Sequence, residues 1–195
     1  MLEMVLILPV LLILMVGVAE IGFGLRNYLL VVNADRESAR FGARGRYSDT
    51  RITERVVSAG GVVHRGGTEV PFLRTEGTEP NTGIIITHVK MNVAGDVVSH
   101  TVRSAGVIPD QAGGVRAIGD TDSRISFGDI RDHHGSATAN INATREAAMY
   151  EPIDNHVLAV EVFFAHQPLM LGFFTPVRDI WPMYARTVMR VTRGR

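Results

Sequence analysis

The chain has 195 residues, enough for one ordinary domain and an appendage but not for two large domains. Its 20 Lys and Arg balance 20 Asp and Glu, so nothing in the charge calls for nucleic acid, and no run of like charges marks an interaction tail. Cysteine is absent, which removes disulfides, thiolate zinc sites, iron–sulfur clusters and cysteine nucleophiles together.

From Met4 to Ala19 every residue is apolar, Pro or Gly, and the run continues past Glu20 to Leu25. Those residues give roughly 33 Å of helix at 1.5 Å each, enough for a hydrocarbon core of about 30 Å. A single membrane span is therefore predicted. A cleaved secretory signal would use the small residues of "GVA" before Glu20, but the basic segment that opens such signals is missing: the charge ahead of the apolar run is the acid Glu3. A buried helix of a soluble core needs neither this length nor hydrophobicity all round.

The pattern runs on as "RNYLLVVNADRESARFGARGR", without proline and rich in helix formers. Arg26, Asn33, Glu37, Arg40 and Arg44 fall on one stripe of a 3.6-residue helix. The opposite side carries Val31, Ala34, Ser38, Phe41 and Gly42, mostly small, so a sheet or another helix can approach it closely. The helix is expected to end near Gly42 to Gly45. The chain divides into a hydrophobic helix over 1–25, its amphipathic continuation over 26–46 and a β-rich head over 47–195.

Within the head, "SDTRITERVVSAGG" reads as a short helix capped near Ser48 to Thr50 and stopped by Gly60-Gly61. "GIIITHVKMNV", the turn "AGD" and "VVSHTVR" read as a hairpin. In "HVLAVEVFFAH" the residues Leu158, Val160, Val162 and Phe164 make one apolar face, and "YARTVMRVTR" places Arg186, Arg190 and Arg193 as an edge strand would. Between Gly113 and Tyr150 the chain is rich in Gly, Asp, Ser, Thr and Asn and reads as long loops with short strands. The predicted fold class is α+β: a long N-terminal helix, hydrophobic in its first half, packed on a small antiparallel β-sheet head.

Little here suits catalysis or metal binding. "DIRDHHG" offers Asp129, Asp132, His133 and His134, but adjacent histidines point to different faces of a strand or helix, and a solvated loop explains them. Asp120 and Asp122 in "GDTDS" are oxygen donors without the later bidentate Glu of a calcium loop. No nucleophile elbow, phosphate loop or dinucleotide fingerprint is present. "NAT" at Asn142 is a glycosylation sequon. "HQPLMLGFFTPVRDIWP" is apolar but too short to span a membrane, suited to a core or a partner surface. An enzyme, a cofactor and a metal are not expected.

Both ends of the sequence resemble a known family. Glu3, Pro9, the "GVAEIG" around Glu20 and "NADRESARFGA" from Asn33 to Ala43 stand in the order found in the amino-terminal block of TadE-like and TadG-like pilins of tight-adherence, Flp-type secretion systems. "HQPLMLGFF" followed by "PMYARTVMRV" is similar to the closing pattern of that family, and the stretch from roughly Tyr47 to Asn155 is unmatched. The resemblance implies a leader ending in Gly, removed by a prepilin peptidase a few residues ahead of the acid; here Met1 and Leu2 precede Glu3. The positive-inside rule alone puts the Arg-bearing side beyond Arg26 in the cytoplasm, opposite to what a pilin requires, and a basic leader would reverse that.

The resemblance also implies roles. Glu3 is expected to pair with the free amino terminus of a neighbouring subunit, in surroundings where removing one partner costs more than at a surface. Gly17, Ala19, Gly22 and Gly24 are notches through which helices of neighbouring copies can approach. Pro9 removes one backbone donor and can open the helix locally, as accompanies extraction of a pilin from the membrane. Glu20 lies at the other edge of the span, as an assembly acid or as a carboxylate in water. The expected protein is a structural subunit, held in the inner membrane as a precursor and then assembled through its N-terminal helix into an extracellular pilus filament for adhesion. Its partners would be copies of itself, the membrane, prepilin peptidase and the pilus assembly machinery. The alternative is a membrane-anchored periplasmic or surface binding protein, or minor pseudopilin, that does not polymerise.

Overall fold

The computed structural model describes residues 2–45, 48–77, 79–110, 114–168 and 180–191, with side chains from Ile7 onward. Its first element is one helix, α1 (Leu2–Ala43), running through Pro9. Helix α2 (Asp49–Ala59) follows, capped by Ser48, whose side chain accepts from the Arg51 N–H. A separate two-stranded hairpin comes next, β1 (Val62–Arg65) and β2 (Thr68–Pro71). The main sheet is built from β3 (Thr82–Met91), β4 (Val97–Pro109), β5 (Val115–Ala117), β6 (Asn155–His166) and β7 (Trp181–Arg190). Its order is β5-β4-β3-β6-β7, with every neighbour antiparallel. The α+β layout of long helix and antiparallel head is thus as the sequence predicts, including the hairpin around Gly95 and the place of β7 at an edge.

The second half of α1 lies across the sheet, packed on β6, β7 and α2. Small residues make this possible. Val31, Ala34, Ser38 and Ala39 are fully buried, and a Cβ on Gly42 would come within 2.3 Å of Leu158 Cδ2 and 2.9 Å of Ile52 Cδ1. Beneath the helix, Ile84 and Ile86 from β3 join Leu158, Val160, Val162 and Phe164 from β6 in the largest apolar cluster of the head.

The opposite face of the sheet is covered too. Its residues Ile85 and Phe163 pack with Ile108 and Ile118, while Val89, Met91 and Val157 pack with Ile130. Glu161 is buried among them and fully bonded: it accepts from Ser123 Oγ at 2.5 Å, the Arg124 N–H at 2.9 Å and Tyr184 Oη at 2.7 Å. The Arg124 guanidinium stacks over the Phe163 and Tyr184 rings, 5.5 and 5.0 Å from their centres.

This cover corrects the expectation of long loops between Gly113 and Tyr150. Most of the stretch is helical: α3 (Phe127–Ile130), a π-turn over Arg131–Gly135 and α4 (Ser136–Ala147) run on without a break. Ser126 caps the start by accepting from the Asp129 N–H, and Gly135 lets the turn sit against Gly95 at the hairpin tip, where a Cβ on Gly95 would meet the Gly135 carbonyl oxygen at 2.3 Å. The buried stripe of these helices is Ile130, Thr138 and Asn142, two of them polar, so no apolar periodicity announces it. His133 and His134 sit in the π-turn rather than in a loop.

Asn142, the sequon residue, is buried. Its amide donates to the Val93 and Ile153 carbonyls at 2.9 and 3.1 Å and accepts from the Ile153 N–H at 3.0 Å, tying α4 to the chain on both sides of it. It is a structural residue of the folded head, closed to a glycan. Asn142→Ala leaves three backbone groups to find other partners and is expected to cost about 3 kcal/mol; urea unfolding in detergent, followed by the fluorescence of Trp181, the single tryptophan, measures it.

Candidate functional site

The first half of α1 is largely uncovered by the described residues. Between Ile7 and Met15 eight large apolar side chains are exposed, Met15 by 68%, and Val18 farther on is exposed by 71%. Burial of each is worth at least about 1.5 kcal/mol, so water around all eight would cost roughly 12 kcal/mol, as much as the whole stability of a small domain. Another medium has to cover them. The turns from Leu2 to Ala19 span about 27 Å, close to the thickness of a hydrocarbon core. Among the described residues this is the one helix long and apolar enough to cross a membrane, with a mean hydropathy of 2.3 in its most apolar window.

The head takes hold of α1 at Glu20, which is 1% exposed. Glu20 is therefore not a carboxylate in water at the edge of the apolar run: the helix continues without a break, and the end of β6 stands against it. Its Oε1 stands 3.9 Å from Nε2 of the buried His166, at the end of β6. On the other side of that ring the Asn27 amide donates to His166 Nδ1 at 3.1 Å, so the neutral ring carries its proton on Nε2, toward Glu20. Burial holds the His166 pKa below the ordinary imidazole value, and the Glu20 charge partly offsets this. Trp181 packs against His166, ring centres 5.8 Å apart, and both close on Gly24, where a Cβ would lie 3.8 Å from Trp181 and 4.0 Å from His166.

The small residues of α1 thus divide. Gly24 serves the junction with the head. Gly17 and Gly22 have nothing within 4 Å of an added Cβ, and Ala19 is half-buried, so these positions are open to a neighbour. Pro9 lies within the exposed rod. Glu3 and its expected pairing lie outside the residues whose side chains are described, as do residues 169–179 of the apolar stretch after His166 and Arg193 beyond β7.

The polar stripe is where the periodicity puts it. Arg26, Asn33, Arg40 and Arg44 are exposed, and Glu37 is bound at 2.6 Å by Arg55 of α2. Sequence reasoning missed Asp35, which lies on the buried side and accepts from Thr187 Oγ1 of β7 at 2.5 Å while its Oδ1 has no hydrogen-bond partner. A charged residue amid Val31, Ala34 and Ser38 was the available signal. Asp35 lies well beyond the apolar run, under the head, and burial pushes its pKa up to about 7.

Among the described residues no group of three or more His, Asp or Glu is placed to hold a metal ion. Asp122 is bound by Arg116 and by the Gly119 N–H, and Asp120 accepts from Ser104, so both carboxylates serve the turn that carries them.

The arrangement defines a class: an α+β head on a single helix whose free end is suited to a membrane or to other helices. Within that class the helix is TadE-like. Residues 1–40 match the family described as TadE-like protein. The match covers the rod and most of the helix under the head, and stops short of the sheet. No curated protein and no solved structure matches the chain.

The elevated pKa of Asp35 has a definite sign. The folded state holds a proton that the unfolded chain has released, so stability is greatest below pH 4 as far as this group is concerned and falls as pH rises to about 7, by an amount on the order of 4 kcal/mol. Asp35→Asn removes that dependence. Its unfolding midpoint is expected to exceed that of the wild type at pH 8.5 and to approach it at pH 5, as thermal unfolding at the two pH values would show.

Proposed function

We propose that the chain is a pilin-like structural subunit, held in the inner membrane by the rod of α1 and assembled through that rod into an extracellular filament that serves adhesion or surface attachment. The observation that carries this reading is the uncovered apolar rod in a TadE-like segment. Lipid covers the rod before assembly, and the rods of other copies cover it afterwards. Both media satisfy the same side chains, so transfer from one to the other needs no refolding of the head. Glu20 is committed to its own head in this scheme. Glu3 remains the carboxylate available to a neighbouring amino terminus, once a prepilin peptidase has processed the precursor and the assembly machinery has taken it up.

Negative-stain microscopy of material sheared from the cell surface, with mass spectrometry of any filament, tests the proposal. Filaments containing this chain are expected; a chain confined to the membrane fraction would instead favour the non-polymerising anchored protein. Glu3→Gln is expected to slow polymerisation severalfold, and an unchanged rate removes the pairing role. The two glycines separate assembly from folding: Gly22→Leu should leave Trp181 fluorescence unchanged yet lower filament yield, whereas Gly24→Leu should perturb that fluorescence first.

A further inference from the structure

On the flank of the head, α1, α2 and the free edge of β7 enclose an open groove of about 900 Å³. Four arginines line it, Arg36 and Arg40 from α1, Arg55 from α2 and Arg186 from β7, and among the described residues Arg36, Arg40 and Arg186 form no ion pair. Met189 supplies half-buried apolar floor on the α1 side of the sheet. The one carboxylate in the groove, Glu37, is already taken by Arg55. Arg55, with Arg40 and Arg44 adding to it, holds Glu37 below the usual carboxylate range, a sign of the positive field there. Four arginines around one carboxylate leave a positive excess, and like charges held together are a recognition feature more than a folding one, since they repel in the isolated chain.

The complementary shape is on the same molecule. At the turn from α4 into β6, Met149 is 96% exposed and Tyr150 65%, with Ile153 beside them. The turn is firmly built: the Tyr150 N–H bonds the Arg145 carbonyl at 2.8 Å, Arg145 Nε bonds the Glu151 carbonyl at 2.8 Å, and the Arg145 guanidinium covers one side of the Tyr150 ring. Met149 is held there at φ 61°, a conformation side chains of its kind rarely adopt. Glu146 and Glu151 flank the apolar tip, and neither has an ion-pair partner among the described residues. An aromatic and a methionine at a rigid tip, rimmed by carboxylates, match an apolar floor rimmed by arginines. In the single chain the tip is bare, so the two surfaces meet between copies.

We infer that the Met149–Tyr150 tip of one copy seats in the Arg36–Arg40–Arg186 groove of the next. The two surfaces differ, so the contact is head-to-tail and does not close on itself in a pair, which is the property a growing polymer needs. This rests on the filament reading above and adds to it a contact between heads, independent of the contact between rods.

The absence of cysteine makes the test direct. A chain carrying Arg40→Cys and Glu151→Cys is oxidised in sheared filaments and in membranes, beside a control carrying Arg40→Cys and Val98→Cys, where Val98 is an exposed residue of β4. Disulfide-linked ladders of this chain from the first pair and not the control are expected. Arg40→Glu with Arg186→Glu should lower filament yield about tenfold, and Glu146→Arg with Glu151→Arg in the same chain should restore much of it. Filaments that form normally with no 40–151 ladder overturn the head contact and leave the filament reading standing. A link from the thiol introduced at position 40 to a different protein overturns the assignment of the occupant. Wild-type chains that never multimerise overturn both readings.

Discussion

A single helix here must satisfy two surroundings at once. From Ile7 to Met15 its side chains are apolar and exposed, while from Glu20 to Ala43 one side of the same helix is packed on the head, with Val31, Ala34 and Ala39 sealed in its core. Because the turns are continuous, whatever holds the rod fixes where the head stands, and a pull on the head is carried into the rod. An anchor on a flexible linker would transmit neither. Placing the junction at Glu20 leaves about 27 Å of free helix, and the rest of the molecule is arranged around that division.

Within the head the helix is pinned by polar groups as well as by shape. Asp35 to Thr187, and Asn27 to His166 beside Glu20, are contacts between α1 and the last two strands. In an apolar setting such groups are costly wherever they miss their partners, so sliding α1 by one turn would strand several at once. Apolar packing alone, through small residues such as Ala34 and Ala39, discriminates less among registers. The two titratable pins carry opposite signs: protonating Asp35 relieves a buried charge, whereas protonating His166 adds one. Their pH dependences therefore oppose each other: the Asp35 contribution weakens as pH rises, and the His166 contribution weakens as pH falls.

The parts legible in the sequence are those that depend on local pattern. The length of α1, its stripe from Arg26 to Arg44, the Ser48 cap of α2 and the hairpin around Gly95 follow from spacing and from residues with one dominant local preference. The helices over the outer face were hidden because their buried stripe uses Thr138 and Asn142 in place of aliphatic residues, and Asn, Ser and Thr read as loop formers. The junction was hidden for a different reason. Glu20 and His166, like Asp35 and Thr187, are brought together by the pairing of β6 with β7 and the placing of α1 across them, which no window of sequence contains. Position could say that Glu20 sits at the end of an apolar run, but not that the head would reach down to cover it.

Reaction of single cysteines with a membrane-impermeant maleimide tests the two-surroundings account most directly. Cysteines at Leu8, Leu12 and Met15 are compared with one at exposed Val98, in membranes and in sheared surface material. The account predicts that the three rod positions are protected in both preparations while position 98 reacts in both. Rod positions that react as fast as position 98 in either preparation would contradict it.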